Sequence, residues 1–121
     1  MALGSRTSSR PKLGFRFFRA ESGIEPVRTW LKSLDEGPRN TVGRDMMDVQ
    51  YRWPLTKPLV DSLGAGLYEV RSTSDKVEYR VLFCICDGDM VALHAFTKKS
   101  RKTPKREIEI GRHRKRAIET Q

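Results

Sequence analysis

Long apolar runs are missing from this 121-residue chain. Nothing in it approaches the ~18 consecutive apolar residues of a membrane span. The N-terminus also lacks the apolar block, roughly 7–15 residues long, that marks a signal peptide. The expectation is therefore a cytoplasmic protein with no membrane partner. Cysteine is nearly absent: Cys84 and Cys86 are the only two. They stand two apart in an apolar strand pattern, and i, i+2 neighbours on one strand rarely meet disulfide geometry. Buried or half-buried free thiols are expected, as in a reducing cytosol. Histidine is limited to His94 and His113, whose positions match no zinc-ligand spacing, so no metal and no cofactor is expected.

Acidic side chains are absent from residues 1–19, which hold five basic ones. Residues 98–121 hold ten basic and three acidic residues, whereas residues 20–97 carry nine basic and twelve acidic ones. The formal net charge of +9 thus sits at the two ends of the chain. Such asymmetry favours a polyanionic partner, because condensed counterions are released when lysine and arginine meet phosphates. The alternative is that the charge serves only solubility.

Residues 1–13 are polar and aperiodic and read as a flexible basic arm before a single domain over residues 14–121. Phe15, Phe17 and Phe18 mark a first strand ending near Glu21. Val27, Trp30, Leu31 and Leu34 follow helical spacing, with Pro26 in the first turn and Gly37-Pro38 as the stop. A second helix from about Pro38 aligns Val42, Met46, Val49 and Trp53, and both stripes, tryptophans included, read as core. Pro54 to Gly66 reads as a connector. Three strand patterns follow, Leu67–Thr73, Val77–Cys86 and Met90–Thr97, with a hairpin turn at Asp87-Gly88-Asp89. Thr103 is a candidate N-cap for a basic final helix running to about Ile118, whose apolar stripe is weak enough to suggest loose docking. The order β-α-α-β-β-β-α argues for an α+β fold, with a small, mainly antiparallel sheet covered on one face by the two early helices.

Charges inside strand patterns need a reason. With a two-residue turn after Cys86, Arg80 falls opposite Ala95 or Thr97, close to Lys98 and Lys99, on the face of Leu82, Cys84 and Leu93. An even-length loop between Ser72 and Lys76 adds Glu69 and Arg71 to that face. Glu69 and Arg80 could simply form a half-buried ion pair, and the lysine run from Lys98 could be a solvated loop. His94 is expected on the Val81 face, packed or hydrogen-bonded.

Taken in order, Gly66-Leu67-Tyr68-Glu69-Val70-Arg71, Tyr79-Arg80-Val81-Leu82-Phe83 and Phe96-Thr97-Lys98-Lys99 with Thr103-Pro104 resemble the RelE/HigB superfamily of toxins from type II toxin-antitoxin systems, especially its phage-derived HigB-like branch. The resemblance covers about residues 15–114. It implies a compact α+β endoribonuclease that enters the ribosomal A site, cuts messenger RNA and is neutralised by a helix-turn-helix antitoxin of HigA type. It also implies roles. Arg80 matches the phosphate-binding arginine, Arg71 the arginine that ends its motif, and Lys98 and Lys99 the basic pair that binds phosphate and protonates the leaving group. Glu69 is a candidate acceptor for the 2′-hydroxyl proton. Arg101 and Lys102, with Lys105 and Arg106, are candidate RNA contacts.

Such cleavage uses the RNA's own 2′-hydroxyl against the adjacent phosphate, so guanidinium and ammonium groups suffice to stabilise the added charge. The chain departs from RelE in having Leu67 and Glu69 where that toxin has a lysine-rich strand, and in lacking its late catalytic tyrosine. Of the C-terminal histidines some HigB toxins use, only His113 has a counterpart. Two other classes stay open: a non-enzymatic toxin that blocks gyrase, as ParE-type relatives do, and an RNA-binding protein without catalysis.

Overall fold

β-Branched and aromatic residues alternate through the middle of the chain, and this is where the sheet forms. A computed structural model describes residues 10–120. It contains β1 (Gly14–Phe17), α1 (Pro26–Ser33), α2 (Glu36–Arg52), β2 (Val60–Gly64), β3 (Leu67–Ser74), β4 (Val77–Cys86), β5 (Asp89–Lys98) and α3 (Lys105–Glu119). The five strands form one sheet in the order β1-β5-β4-β3-β2. All neighbours are antiparallel except β1 with β5. The α+β class and the mainly antiparallel sheet agree with the sequence reading and are compatible with a RelE-like fold. None of the described helices is long and apolar enough to cross a membrane.

The sheet has one strand more than expected. β2 lies inside the stretch read as a connector, and with Asp61, Ser62 and Gly64 among its five residues it shows no strand pattern of its own. It exists because β3 supplies a hydrogen-bonded edge, and it is short and bulged at Leu63, as edge strands commonly are. The helix boundary also moves. α1 stops at Ser33, and Gly37 and Pro38 lie in the first turn of α2. Proline fits there because first-turn N–H groups have no intrahelical acceptor to lose. Residues 1–9 of the expected arm lie outside the described residues. Lys12 and Leu13, read as its end, donate backbone N–H groups to the Gln50 carbonyl at 3.0 and 3.1 Å, and Leu13 is buried.

Two cores flank the sheet. Val27, Val42, Met46, Val49, Val70, Val81 and Phe83 pack between the sheet and α1 and α2. Trp30 and Trp53 border this core, Trp53 meeting Tyr68 and Phe83 edge-on, so both tryptophans are core residues as expected. Leu67, Leu82, Cys84, Val91, Leu93 and Ile118 form the second core under α3. α3 is docked firmly despite its weak stripe. Gly111 lets it approach so closely that a Cβ there would lie 3.0 Å from Leu82 Cδ1. Arg112 donates to the Leu63 and Gly64 carbonyls, and Arg114 to the Leu93 carbonyl. Leu63 and Leu93 stand at the two irregularities in strand pairing, so α3's arginines satisfy carbonyls that a bulge takes out of the ladder.

Candidate functional site

Both hairpin turns behave as their sequences dictate. Asp75-Lys76 and Asp87-Gly88 take positive φ at both central positions, the geometry of a two-residue turn that matches strand twist. The first turn pairs Glu69 with Leu82 and Arg71 with Arg80, so the parity expected for β3 holds. The second starts in register, Cys86 opposite Asp89, but the pairing slips by one residue at Leu93. Arg80 therefore faces Phe96, not Ala95 or Thr97. Alternation then puts Lys98 on Arg80's face and Lys99 off it. The same slip pairs His94 with Leu82 and turns it under α3, away from the Val81 face where it was expected.

Arg80 is buried and not open to solvent. It is 1 % exposed. Its Nη2 donates to Glu78 Oε1 at 2.9 Å and its Nη1 to the Tyr79 carbonyl at 3.0 Å. Its Nε lies 3.9 Å from Glu69 Oε1, beyond hydrogen-bond reach, and has no acceptor among the described residues. The ion pair between Glu69 and Arg80 weighed in the sequence reading is thus present, and it is buried. Arginine fills this place because two carboxylates and a carbonyl offset its desolvation. The Glu78 carboxyl sits below its usual range, held there by hydrogen bonds from Thr73 and Arg80.

Above this buried charge lies an open cleft of about 280 Å³. Its lining brings together Glu69 and Arg71 of β3, Lys98 at the end of β5, and Arg101, Lys102 and Thr103 of the following loop. Thr103 does not cap α3: its hydroxyl donates to Glu69 Oε1 at 2.6 Å, and Pro104 occupies the N-cap position. That bond ties the basic loop to the sheet across 34 residues of chain. The Lys98 ammonium donates to the Arg101 carbonyl and braces the same loop. Arg71 is half-buried, borders a second depression with Thr73 and Glu78, and has no side-chain partner among the described residues. It stands across from Arg80, and like charges placed so repel. Arg80 faces Glu78 and Glu69, whereas the Arg71 side chain has no such partner among the described residues.

Lys99, Lys105 and Arg106 are exposed and do not line the cleft. Sequence reasoning missed Lys57, Asp61 and Leu63, which also line the cleft. Asp61 pairs in register with Glu69, placing two carboxylates side by side on one face. Asp61 is the more accessible, with about a third of its side chain exposed, and lies 3.8 Å from Lys57 Nζ. The signal that could have found it is the spacing Lys57-x-x-x-Asp61 just before the Tyr-Glu-Val-Arg strand, hidden because this stretch reads as a connector.

His94 forms a separate polar cluster under α3. Arg114 Nη1 lies 3.4 Å from Nδ1, so Nδ1 accepts and Nε2 donates to Glu107 Oε1 at 2.6 Å. Burial pulls His94 below its ordinary range, while the Glu107 carboxylate pulls the other way. Cys84 and Cys86 are free thiols as expected, and burial pushes the Cys84 thiol up to about 11.

Comparison with known proteins gives one family. The family described as phage derived protein Gp49-like (DUF891) matches residues 29–116, from α1 to the last turns of α3. No curated protein matches the chain.

Proposed function

This chain belongs to the phage-derived Gp49-like family, a toxin-like family of the RelE type, and from that premise we propose that it is an endoribonuclease toxin that cuts messenger RNA on the ribosome. The observation that carries the reading is the cleft itself, where Arg71, Arg101 and Lys102 surround adjacent carboxylates in a space open to solvent. Arg71 grips the scissile phosphate in bidentate fashion and stabilises the charge that builds on its oxygens. Asp61 takes the 2′-hydroxyl proton, a role that suits an accessible carboxylate better than the buried, Thr103-bonded Glu69. Lys102 lines the same cleft as Asp61, and its ammonium protonates the 5′-oxygen leaving group. Arg80, Glu69 and Thr103 hold this frame rigid. Arg101, with Lys105 and Arg106 outside the cleft, extends the cationic surface toward ribosomal RNA. Family membership implies an antitoxin; we infer that it is a helix-turn-helix protein of HigA type and that both proteins act in the cytoplasm.

A second reading has an observation of its own. The one carboxylate buried in the cleft is already engaged by Thr103 and faces Arg80, as in a binding surface that performs no proton transfer. Translating ribosomes programmed with a defined transcript separate the two. The nuclease reading expects new 5′ ends that require ribosomes, reduced on the order of 10²–10³-fold by Arg71→Ala and by a similar factor, about 10²–10⁴, by Asp61→Asn. Growth arrest with intact transcripts would overturn it in favour of a blocking toxin.

A further inference from the structure

Arg71 lines two depressions, the cleft and a second one of about 380 Å³ that it shares with Pro58, Leu59, Thr73 and Glu78. Alternation along β3 sets Glu69, Arg71 and Thr73 on one face, so the second depression continues the cleft along the strand. Lys98, which lines the cleft, pairs in register with Glu78. The wall made by Pro58 and Leu59 is tied to the sheet, because the Arg71 backbone N–H donates to the Leu59 carbonyl at 2.8 Å.

The carboxylate sets this depression apart. Glu78 Oε2 accepts from the Thr73 hydroxyl and Oε1 from Arg80 Nη2, each at 2.9 Å. Two bonds from two side chains fix its orientation, yet 44 % of the side chain stays exposed. The same bonds hold its titration below the usual range, so the group remains an ionised acceptor. A carboxylate has about four acceptor sites, and each oxygen here keeps a free one. Such a group repels phosphate and takes two donors side by side. Pro58 and Leu59 add apolar surface for a flat ring, and the volume falls in the range of about 300–1,000 Å³ that small-molecule sites span. Of the four RNA bases, guanine alone presents two adjacent donors, N1–H and the N2 amine, on its Watson–Crick edge. Adenine and cytosine place a ring-nitrogen acceptor beside their amine, and uracil flanks its one N–H with carbonyls. Single-stranded RNA leaves that edge free to be read.

We propose that the second depression seats a guanine base of the substrate strand, next to the phosphate held by Arg71, with Glu78 accepting from N1–H and the N2 amine and Pro58 and Leu59 against the ring. Glu78 is then a specificity-determining residue, and Thr73 a positioning residue that acts through it. The inference rests on the nuclease reading above for the strand and for the phosphate at Arg71.

The test titrates the full chain into fluorescein-labelled uridine heptanucleotides carrying guanosine, inosine, adenosine or cytidine at the centre. Guanosine is expected to bind about tenfold or more tighter than adenosine or cytidine, with inosine, which lacks the N2 amine, in between. Glu78→Gln should bring the four within about twofold of one another without weakening an all-uridine strand, whereas Arg71→Ala should weaken every strand alike. Equal binding of the four by the wild-type chain overturns the proposal, and so does a uniform loss in Glu78→Gln that keeps the preference. If Glu78→Gln lowers the urea midpoint, Thr73→Val supplies the readout: a reduced preference for guanosine supports the assignment, and an undiminished one overturns it. On programmed ribosomes, guanosine is then moved along the transcript. Cuts that follow it in the wild type and not in Glu78→Gln place the base in the substrate strand. Guanosine preference in the heptanucleotides with cuts indifferent to guanosine would put a ribosomal base in the depression and overturn that placement. Guanosine preference without any cutting removes the nuclease reading and leaves the guanine site standing.

Discussion

Replacing Arg80 by alanine is expected to destabilise the fold before it disturbs any chemistry. The guanidinium is 1 % exposed and lies 2.9 Å from Glu78 and 3.9 Å from Glu69. Removing it strands Glu69, itself 4 % exposed, as a buried charge beside only the Thr103 hydroxyl. Breaking one side of a buried pair costs about 3–5 kcal/mol, mostly the penalty of the uncompensated partner. Glu78 contributes little, since its side chain is 44 % exposed and water replaces the lost donor. The Thr103 bond to Glu69 places the expected loss near the lower end, about 3 kcal/mol, a large share of the roughly 5–15 kcal/mol that holds a domain together. With m near 1–3 kcal/mol/M, the urea midpoint falls by roughly 1–3 M. Fluorescence of Trp30 and Trp53, both set against the core, reports the transition. The double variant Arg80→Met/Glu69→Gln, which removes both charges together, is expected to recover a good part of the loss, with a coupling of about 1–3 kcal/mol. A stability shift below about 0.5 kcal/mol for Arg80→Ala with collapsed RNA affinity would refute a purely structural role. The guanidinium would then reach RNA directly.

Burial holds His94 below its ordinary value of 6.5, against Glu107 and beside Arg114 and Arg106. As pH falls, the unfolded chain takes up this proton first. The stability carried by neutral His94 is therefore complete above about pH 6.5 and lost as pH drops toward the folded value. Urea titrations across this window should show a flatter pH dependence for His94→Gln, and parallel curves would refute the assignment. In the native protein, Cys86 should react with a thiol reagent near pH 8 well before Cys84, whose thiol is buried and pushed up to about 11; equal rates would contradict the packing under α3. Gly111→Ala should be nearly neutral, the contact with Leu82 at 3.0 Å offsetting a helix gain of about 1 kcal/mol, whereas Gly111→Val should cost about 1–3 kcal/mol by overpacking. Thermal melts distinguish these outcomes. Arg71→Ala and Lys102→Ala should each lower the slope of log affinity for single-stranded RNA against log salt by about 0.7; an unchanged slope places that side chain off the phosphate path.

Much of the architecture is legible without coordinates. The stripes Val27-Trp30-Leu31 and Val42-Met46-Val49 become the buried faces of α1 and α2, because helical periodicity reflects burial directly. The alternation of Tyr79, Val81 and Phe83 against Arg80, Leu82 and Cys84 assigns β4's two faces, since a strand has only two sides. β2 escapes detection because its stability comes from β3's hydrogen bonds and not from its own residues. The docking of α3 escapes for a related reason: it depends on a glycine and on arginines bonded to carbonyls, which no apolar stripe announces. As for the cleft, Glu69, Arg71, Lys98, Arg101 and Lys102 are found from the sequence, whereas Lys57 and Asp61 are not.

The sequence by itself determines the kind of protein this is: a basic α+β chain with arginines set into strands and charge gathered at both ends, features local in pattern and additive in composition. Only the tertiary structure decides which charges are free. A one-residue slip at Leu93 chooses Lys98 over Lys99 and moves His94 beneath α3. Two carboxylates and a carbonyl make Arg80 a buried tie, while Arg71 across the strand pair has no side-chain partner among the described residues. Such outcomes depend on registers and contacts between residues far apart in the chain, and a strand pattern holds no record of either.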